Sequence, residues 1–436
     1  FGSSCASGAA LAPPSAGPAG IWHFGNRASM LVLVVACSGR ELAAVEADPS
    51  WQLGDLLAAI PEQEEAAGHK LRILFGGAEL CGAATLGEIG AQGGSELTLV
   101  VTRRRRIVTC GGGRVVAKVW DADSGECLRA LEGHQDYVIS AVFSADGQRV
   151  LTASADDTAK IWDADSGECL RTLEGHQHYV NSAVFSADGQ RVLTAACDLT
   201  AKIWAADSGA CLRTLEGHGH WVMSAAFSAD GQRALTASED GTAKIWAADS
   251  GECLRALEGH QDYVTSAVFS ADGQRVLTAS EDETAKIWAV DSGACLRTLG
   301  GHRGVVRSAV FSTDGQRVLT ASWDRTAKIW ATDSGACLRT LEGHEGWWLR
   351  SAVFSADGQR VLTASSDDTA KIWDADSGEC LRTLEVEGDV KSAVFSADGQ
   401  RALTASDDGM AKIWDANSGE CLRTLEGAGD RARFAP

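Results

Sequence analysis

The strongest constraint on this chain is a phrase of twelve letters written seven times: LTASADDTAKIW, LTAACDLTAKIW, LTASEDGTAKIW, LTASEDETAKIW, LTASWDRTAKIW, LTASSDDTAKIW and LTASDDGMAKIW. With one looser first copy, its tryptophans fall at 120, 162, 204, 246, 288, 330, 373 and 414. The period is 42, with one step of 43 and one of 41. A unit of that size is one supersecondary element that must stack on its neighbours. Residues 259–299 show its parts. Gly259-His260 is a turn, VTSAVFS (264–270) a strand and Ala271-Asp272-Gly273-Gln274 a tight hairpin turn. RVLTAS (275–280), TAKIWAV (284–290) and ACLRTL (294–299) follow as strands, separated by Glu281-Asp282-Glu283 and Asp291-Ser292-Gly293. The strands have ordinary length, and the Gly-rich turns leave no window for a helix.

A four-stranded meander cannot bury both faces alone, whereas radial stacking into a ring buries them and leaves only short edges. Gly-His, an Asp six residues before Trp, and Trp with or without a following Asp recur through 107–436. On those letters the region resembles the WD-repeat family of β-propellers. Trp-Asp stands at 120–121, 162–163, 373–374 and 414–415, and Trp-Ala in the other four copies. The resemblance implies a mainly β fold whose blades are each pinned by a hydrogen-bonded Trp, Asp, His and Ser/Thr. Six complete sets match: His134/Thr152/Asp156/Trp162, His176/Thr194/Asp198/Trp204, His218/Thr236/Asp240/Trp246, His260/Thr278/Asp282/Trp288, His302/Thr320/Asp324/Trp330 and His344/Thr363/Asp367/Trp373. The next copy keeps Thr404, Asp408 and Trp414 but has VEG (386–388) for Gly-His, and the first has Arg114 at the Asp position. A Thr-His-Asp group invites a catalytic reading. Six copies exceed what chemistry needs, and buried polar groups require partners, so the sets are read as structural.

The first unit lacks an innermost strand, and the chain ends GAGDRARFAP (427–436). Arg431–Ala435 is expected to supply that strand and close eight blades; seven blades from 136–425 is the alternative.

Residues 1–29 are rich in Gly, Ala, Ser and Pro and read as a disordered low-complexity segment. The chain opens on Phe1, and Met30 heads the first segment with a strand pattern. MLVLVVA and RELAAVEA read as strands. Leu53, Leu56, Leu57 and Ile60 form an apolar helical stripe, capped by Ser50 and limited by Pro61. KLRILFGGAEL and ATLGEIGAQGGSELTLVV complete a strand–strand–helix–strand–strand order. With these phrases, residues 30–102 resemble ubiquitin and its β-grasp relatives, a small α+β fold. The resemblance implies an apolar recognition face carried by Leu74 and Val100, weakened by Cys37, and a ubiquitin-pathway or proteasomal partner. Arg105-Arg106 stand where ubiquitin has its terminal Gly-Gly, which argues against a conjugated modifier. The Arg run 103–106 reads as a solvated basic linker, with a nuclear localisation signal as the sharper alternative.

The copies differ mainly beside the Gly-His loops and the set aspartates. Tyr137, Tyr179, Trp221, Tyr263, Trp323, Trp347 and Trp348 all sit there, with Arg303, Arg307 and Arg325, joined by His178, His220 and Arg350. Aromatics and Arg supply large amphipathic contact area, so one rim is expected to bind a protein or peptide. The function expected is that of a non-enzymatic scaffold; the alternatives are an enzyme with a site in the channel and a precursor of a ubiquitin-like modifier.

Composition narrows the rest. A net charge of −20 opposes binding to nucleic acid or anionic lipid. The apolar run MLVLVVAC is too short to cross a bilayer. Eight of the 13 cysteines (Cys127, Cys169, Cys211, Cys253, Cys295, Cys337, Cys380 and Cys421) recur at one repeat position, too far apart to pair. Reduced thiols point to the cytoplasm or nucleus. No CxxC pair or zinc-spaced cluster is present, so no metal or cofactor is expected.

Overall fold

Short runs of β-branched, aromatic and small residues between turns build sheets covered on both faces. The computed structural model describes residue 96 onward without a gap. Before it, residues 30–36, 41–47, 50–52, 55–56, 69–75, 78–79, 85–86, 88 and 91 are described. The chain divides into two units, Phe1–Arg103 and Arg104–Pro436. No described helix is long and apolar enough to cross a membrane.

In the first unit, β1 (Met30–Ala36), β2 (Glu41–Ala47), β3 (His69–Phe75), β4 (Ala78–Glu79) and β5 (Glu96–Arg103) form one sheet in the order β2-β1-β5-β3-β4. β1 runs antiparallel to β2 and parallel to β5. Leu56, Leu86 and Leu97 are buried. Segment 1–29 and most of the expected helix lie outside the described residues; of that helix, Asp55 and Leu56 are helical, and Leu56 N donates to Gln52 O at 3.2 Å.

The second unit is a ring of eight four-stranded antiparallel blades. Blade 2 has strands Val138–Phe143, Arg149–Ser154, Ala159–Asp163 and Cys169–Leu173, and blades 3 to 8 repeat this plan. Blade 1 draws on both ends of the unit. Its outer three strands are β6 (Arg106–Cys110), β7 (Ala117–Asp121) and β8 (Cys127–Leu131). Its innermost strand is Arg431–Phe434, antiparallel to β6 with Ala432 opposite Thr109. The closing strand is one residue shorter than expected, because Ala435 keeps only a backbone bond to Arg106 O at 2.7 Å.

Eight apolar clusters fill the seams between blades. In one, Leu151, Ile161 and Leu173 of blade 2 meet Val180, Val192 and Trp204 of blade 3. Each repeat therefore supplies half of two cores, and none is complete without its neighbour.

The antiparallel order puts the turns after first and third strands on one end, here the arginine rim. The turns after second strands and the loops between blades fall on the other, the histidine rim. On the arginine rim, the Arg that opens each second strand reaches the next blade. Arg191 donates to Gly231 O at 2.6 Å, pairs with Asp249 at 2.9 Å and lies over the Phe227 ring. Arg401 carries this belt from blade 8 to blade 1 through Asp123 at 2.8 Å, and Arg106 carries it on to Asp165 at 2.8 Å. The near-constant ADGQR and DSG turns are thus held constant by a ring of inter-blade contacts.

Arg106 corrects the linker reading. It is the first residue of β6, 1% exposed, and donates to the Gly147 carbonyl as well as Asp165. Arg103 ends β5, so Arg104 and Arg105 alone lie between strands.

Candidate functional site

The histidine rim is built on the six hydrogen-bonded sets. In blade 5, Trp288 Nε1 donates to Thr278 Oγ1 at 2.9 Å, which lies 2.7 Å from His260 Nε2, and His260 Nδ1 lies 2.7 Å from Asp282 Oδ2. The other five sets repeat this arrangement. Trp162 donates to Thr152, Trp204 to Thr194 and Trp373 to Thr363 at 2.8 Å, and Trp246 to Thr236 and Trp330 to Thr320 at 2.9 Å. Their histidines, His134, His176, His218, His302 and His344, lie 2.7–2.8 Å from both the Thr and the Asp of the set. A carboxylate only accepts and an indole only donates. The chain therefore runs Trp N–H to Thr, Thr O–H to His Nε2, and His Nδ1–H to Asp. Gln261 N also donates to Asp282, at 3.0 Å, so the set ties the inter-blade loop to the turn after the second strand. Burial pushes the Asp282 carboxyl up, but bonds from Thr284, Gln261 N–H and His260 outweigh it and hold it below its ordinary range. Burial also pulls the His260 imidazole down, against the opposing effect of Asp282.

Access separates the sets from any surface site. The Thr278 hydroxyl is sealed in the blade, with Thr278 0% exposed, so it is out of reach as a nucleophile. Thr152, Thr194, Thr236, Thr320 and Thr363 are sealed in the same way. The indoles of Trp162, Trp204, Trp246, Trp288, Trp330 and Trp373 are buried too, packed in the seams with one blade's Trp against the strands of the blade before it. These Thr and Trp residues are therefore parts of the core: they hold the rim in shape and offer no surface to a ligand.

Blades 8 and 1 keep part of the set. Trp414 donates to Thr404 and Trp120 to Thr109, each at 2.9 Å, with no histidine beside them.

On this scaffold the inter-blade loops place one side chain per blade at the same spot. Its carbonyl accepts the N–H of the residue after the second strand. The occupants are Tyr137, Tyr179, Trp221, Tyr263, Val305, Trp348 and Asp389 in blades 2 to 8. Every exposed Tyr and Trp among the described residues lies on this rim, and Trp347 is the most open at 82%.

The aromatics do not form one patch. Tyr179, His178, Trp221, His220 and Tyr263 make a continuous arc over blades 3 to 5, with centroid spacings of 4.4 to 6.4 Å. Trp323 and Trp348 form a second cluster between blades 6 and 7, 5.6 Å apart. Tyr137 stands apart on blade 2, beside Gly113. Blade 6 has Val305 at the shared spot and supplies Trp323 from its adjoining turn instead.

A hollow of about 870 Å³ opens beside the second cluster, lined by Arg303, Trp323, Arg325, Lys328, Glu345 and Trp347 among others. Trp323 is half-buried, and its indole N–H is buried without a hydrogen-bond partner. Arg303 N donates to Asp324 at 2.9 Å, so one hydrogen-bonded set fixes the floor of this hollow.

Residues 125–163, 167–205, 209–247, 251–289, 293–331, 335–374 and 378–415 match the family model described as WD domain, G-beta repeat (WD40). The chain belongs to the WD40 repeat family. Each WD40 match straddles a seam: 167–205 takes the fourth strand of blade 2 and three strands of blade 3. Comparison with curated proteins found no match. Among solved structures, the crystal structure of the computationally designed Ika8 protein is similar, at 31% identity and a TM-score of 0.62. That likeness covers 69% of this chain and 90% of that one.

The WD40 ring also corrects two residues of the expected rim patch, Arg307 and Arg350. Arg307 belongs to the bore. It is the second residue of the first strand of blade 6, at a β-bulge: Val306 pairs with Ser322 and Ser308 with Ala321, leaving Arg307 unmatched. The same bulge recurs at Asn181, Met223, Thr265, Arg350 and Lys391. A bulge re-aims its extra side chain, and here these residues line the central channel. The channel residues Lys391, Arg431 and Arg433 were missed from the sequence. The varying letter in V-x-S-A-V-F would have found Lys391.

Leu74 lies on β3 and Val100 on β5, but their side chains fall outside the described residues. Among the described residues, no group of His, Cys, Asp and Glu is placed to hold a metal ion.

Proposed function

We propose that this WD40 chain is a non-enzymatic scaffold whose histidine rim holds a protein or peptide partner. WD40 propellers commonly serve as protein-interaction scaffolds, and the observation that carries the reading is the segregation of exposed aromatics. Exposed Tyr and Trp cost solvation free energy and are kept where a partner covers them. The arginine rim uses its side chains on its own seams. The hollow at blades 6 and 7 combines indole faces with Arg303, Arg325 and Lys328 and with Asp324, Glu342 and Glu345, a balanced charge that suits a peptide carrying apolar side chains and both signs of charge.

Affinity purification of the full chain beside Trp347→Ala/Trp348→Ala, read by mass spectrometry, tests this. The variant is expected to lose partners while keeping its melting temperature. Recovery of every partner at wild-type levels removes the cluster from the reading.

The N-terminal unit, on its resemblance to ubiquitin, is proposed to bring ubiquitin-pathway partners through Leu74 and Val100, in the cytoplasm or nucleus. Purification of residues 104–436 alone should then lose those partners and keep the rim partners. Identical partner sets from both chains would end that part.

A further inference from the structure

The bore of the propeller is electrically lopsided. The bulged position is neutral in blades 2 to 5, as Ile139, Asn181, Met223 and Thr265, and the last three line the wall. In blades 6, 7 and 8 it is Arg307, Arg350 and Lys391, and the closing strand adds Arg431 and Arg433. Five cations therefore stand on four consecutive blades of a chain with net charge −20.

The compensation is partial. Asp389 takes Arg350 at 2.7 Å and also pairs with Lys391, while Asp407 lies 3.3 Å from Lys391. Arg431 donates to Ile139 O at 2.7 Å, a bond that leaves its charge in place. Neither Arg307 nor Arg433 makes an ion pair or side-chain hydrogen bond among the described residues. Burial in the bore lowers the Arg307 pKa, Glu281 and Glu239 oppose this, and the charges of Arg431 and Arg350 lower it further. Like charges held together without counter-charge are unfavourable, and an anion placed among them removes that cost.

We propose that the cationic half of the bore binds a small polyanion bearing two or more phosphate groups. The cavity measures about 480 Å³, within the range of small-molecule sites. Planar guanidinium forks match phosphate oxygens in pairs, which compact surface lysines do not. The neutral wall, with Asn181, Met223 and Thr265, faces the part of the ligand that carries no charge. This site adjoins the rim at blades 7 and 8, where Arg350 lies 4.9 Å from the Trp348 ring centroid and Asp389 pairs with Arg350 and Lys391, but it does not depend on the scaffold reading.

Titration calorimetry of the full chain with sodium tripolyphosphate at physiological ionic strength tests it. One site per chain is expected, with a rise in melting temperature. Arg307→Gln/Arg433→Gln should weaken binding about tenfold or more, since each loses a charge-assisted bond. Arg303→Gln/Arg325→Gln on the rim should leave affinity unchanged. Should the bore variant fold poorly, Met223→Lys adds a charge to the neutral wall and should tighten binding. No binding by the wild-type chain, equal affinity in the bore variant, loss in the rim variant instead, or no gain from Met223→Lys would each overturn the proposal.

Discussion

Arg106 of blade 1 and Asp165 of blade 2 face each other at 2.8 Å, 59 residues apart in sequence, with the arginine side chain almost wholly buried. The guanidinium also lies 5.8 Å from the Phe143 ring centroid. Removing one partner of a buried pair strands the other, at a cost of about 3 kcal/mol. Arg106→Ala should therefore lower stability by about that amount in chemical denaturation. Arg105→Ala breaks only the exposed pair with Asp398 and should cost under about 0.5 kcal/mol. Equal effects from the two neighbours would refute the seam role of Arg106.

The hydrogen-bonded sets make a paired comparison. Asp282 closes a set with a histidine, whereas Asp408 is exposed and accepts only from Ser406 and Met410 N. Asp282→Ala should cost about 1–3 kcal/mol, because it leaves the buried His260 N–H unpaired, and Asp408→Ala about 1 kcal/mol or less. Melting curves of both variants decide it, and an Asp408 effect matching that of Asp282 counts against the set as the source.

Acid should weaken the ring in two stages. His134 and His260 have folded pKa values below their ordinary value, chiefly through burial. The unfolded chain thus binds their protons first, and stability falls as pH drops below about 6.5. The set aspartates Asp156 and Asp282 are also held low, so their contribution is present above about pH 4 and is lost as pH falls through the folded values. Melting temperature against pH should show both declines. A flat profile from pH 7 to pH 5 (about the histidine window) would contradict the first.

The repeat cysteines fall on the outermost strands. Cys127, Cys169, Cys211, Cys253, Cys295, Cys337, Cys380 and Cys421 are exposed free thiols, while Cys110 and Cys197 are buried. Burial pushes the Cys110 thiol up to about 12, which suppresses its thiolate. Brief alkylation of the native chain, mapped by peptide mass spectrometry, should label those eight and spare these two. Labelling of Cys110 as fast as Cys127 would contradict the packing of blade 1.

Much of this was legible in the letters. A period of 42 with four turn signals leaves one way to bury both faces of a sheet, and counting strands exposed the gap that the C-terminal segment fills. The aromatic letters beside Gly-His were readable as a rim, because loops between blades must emerge at one end. Arg307 and Arg350 were not, since a bulge breaks the two-residue alternation and turns them from rim to bore. Arg106 was hidden in a charge run whose composition speaks for water. Its burial is decided by an aspartate in another blade. The division of the aromatics into an arc and a separate pair depends on distances across seams, which no single repeat encodes.

The pairing of Phe434 with Ile107 also sets the order of events at the ribosome. Blades 2 to 8 can each dock on the preceding one as they emerge. The opening strands of the ring must wait, one edge bare, until nearly the whole propeller has been made. Loop closure of that span is the slowest kind of contact to find. The nascent ring is therefore most open to aggregation, and most in need of a chaperone, just before its last turn is synthesised.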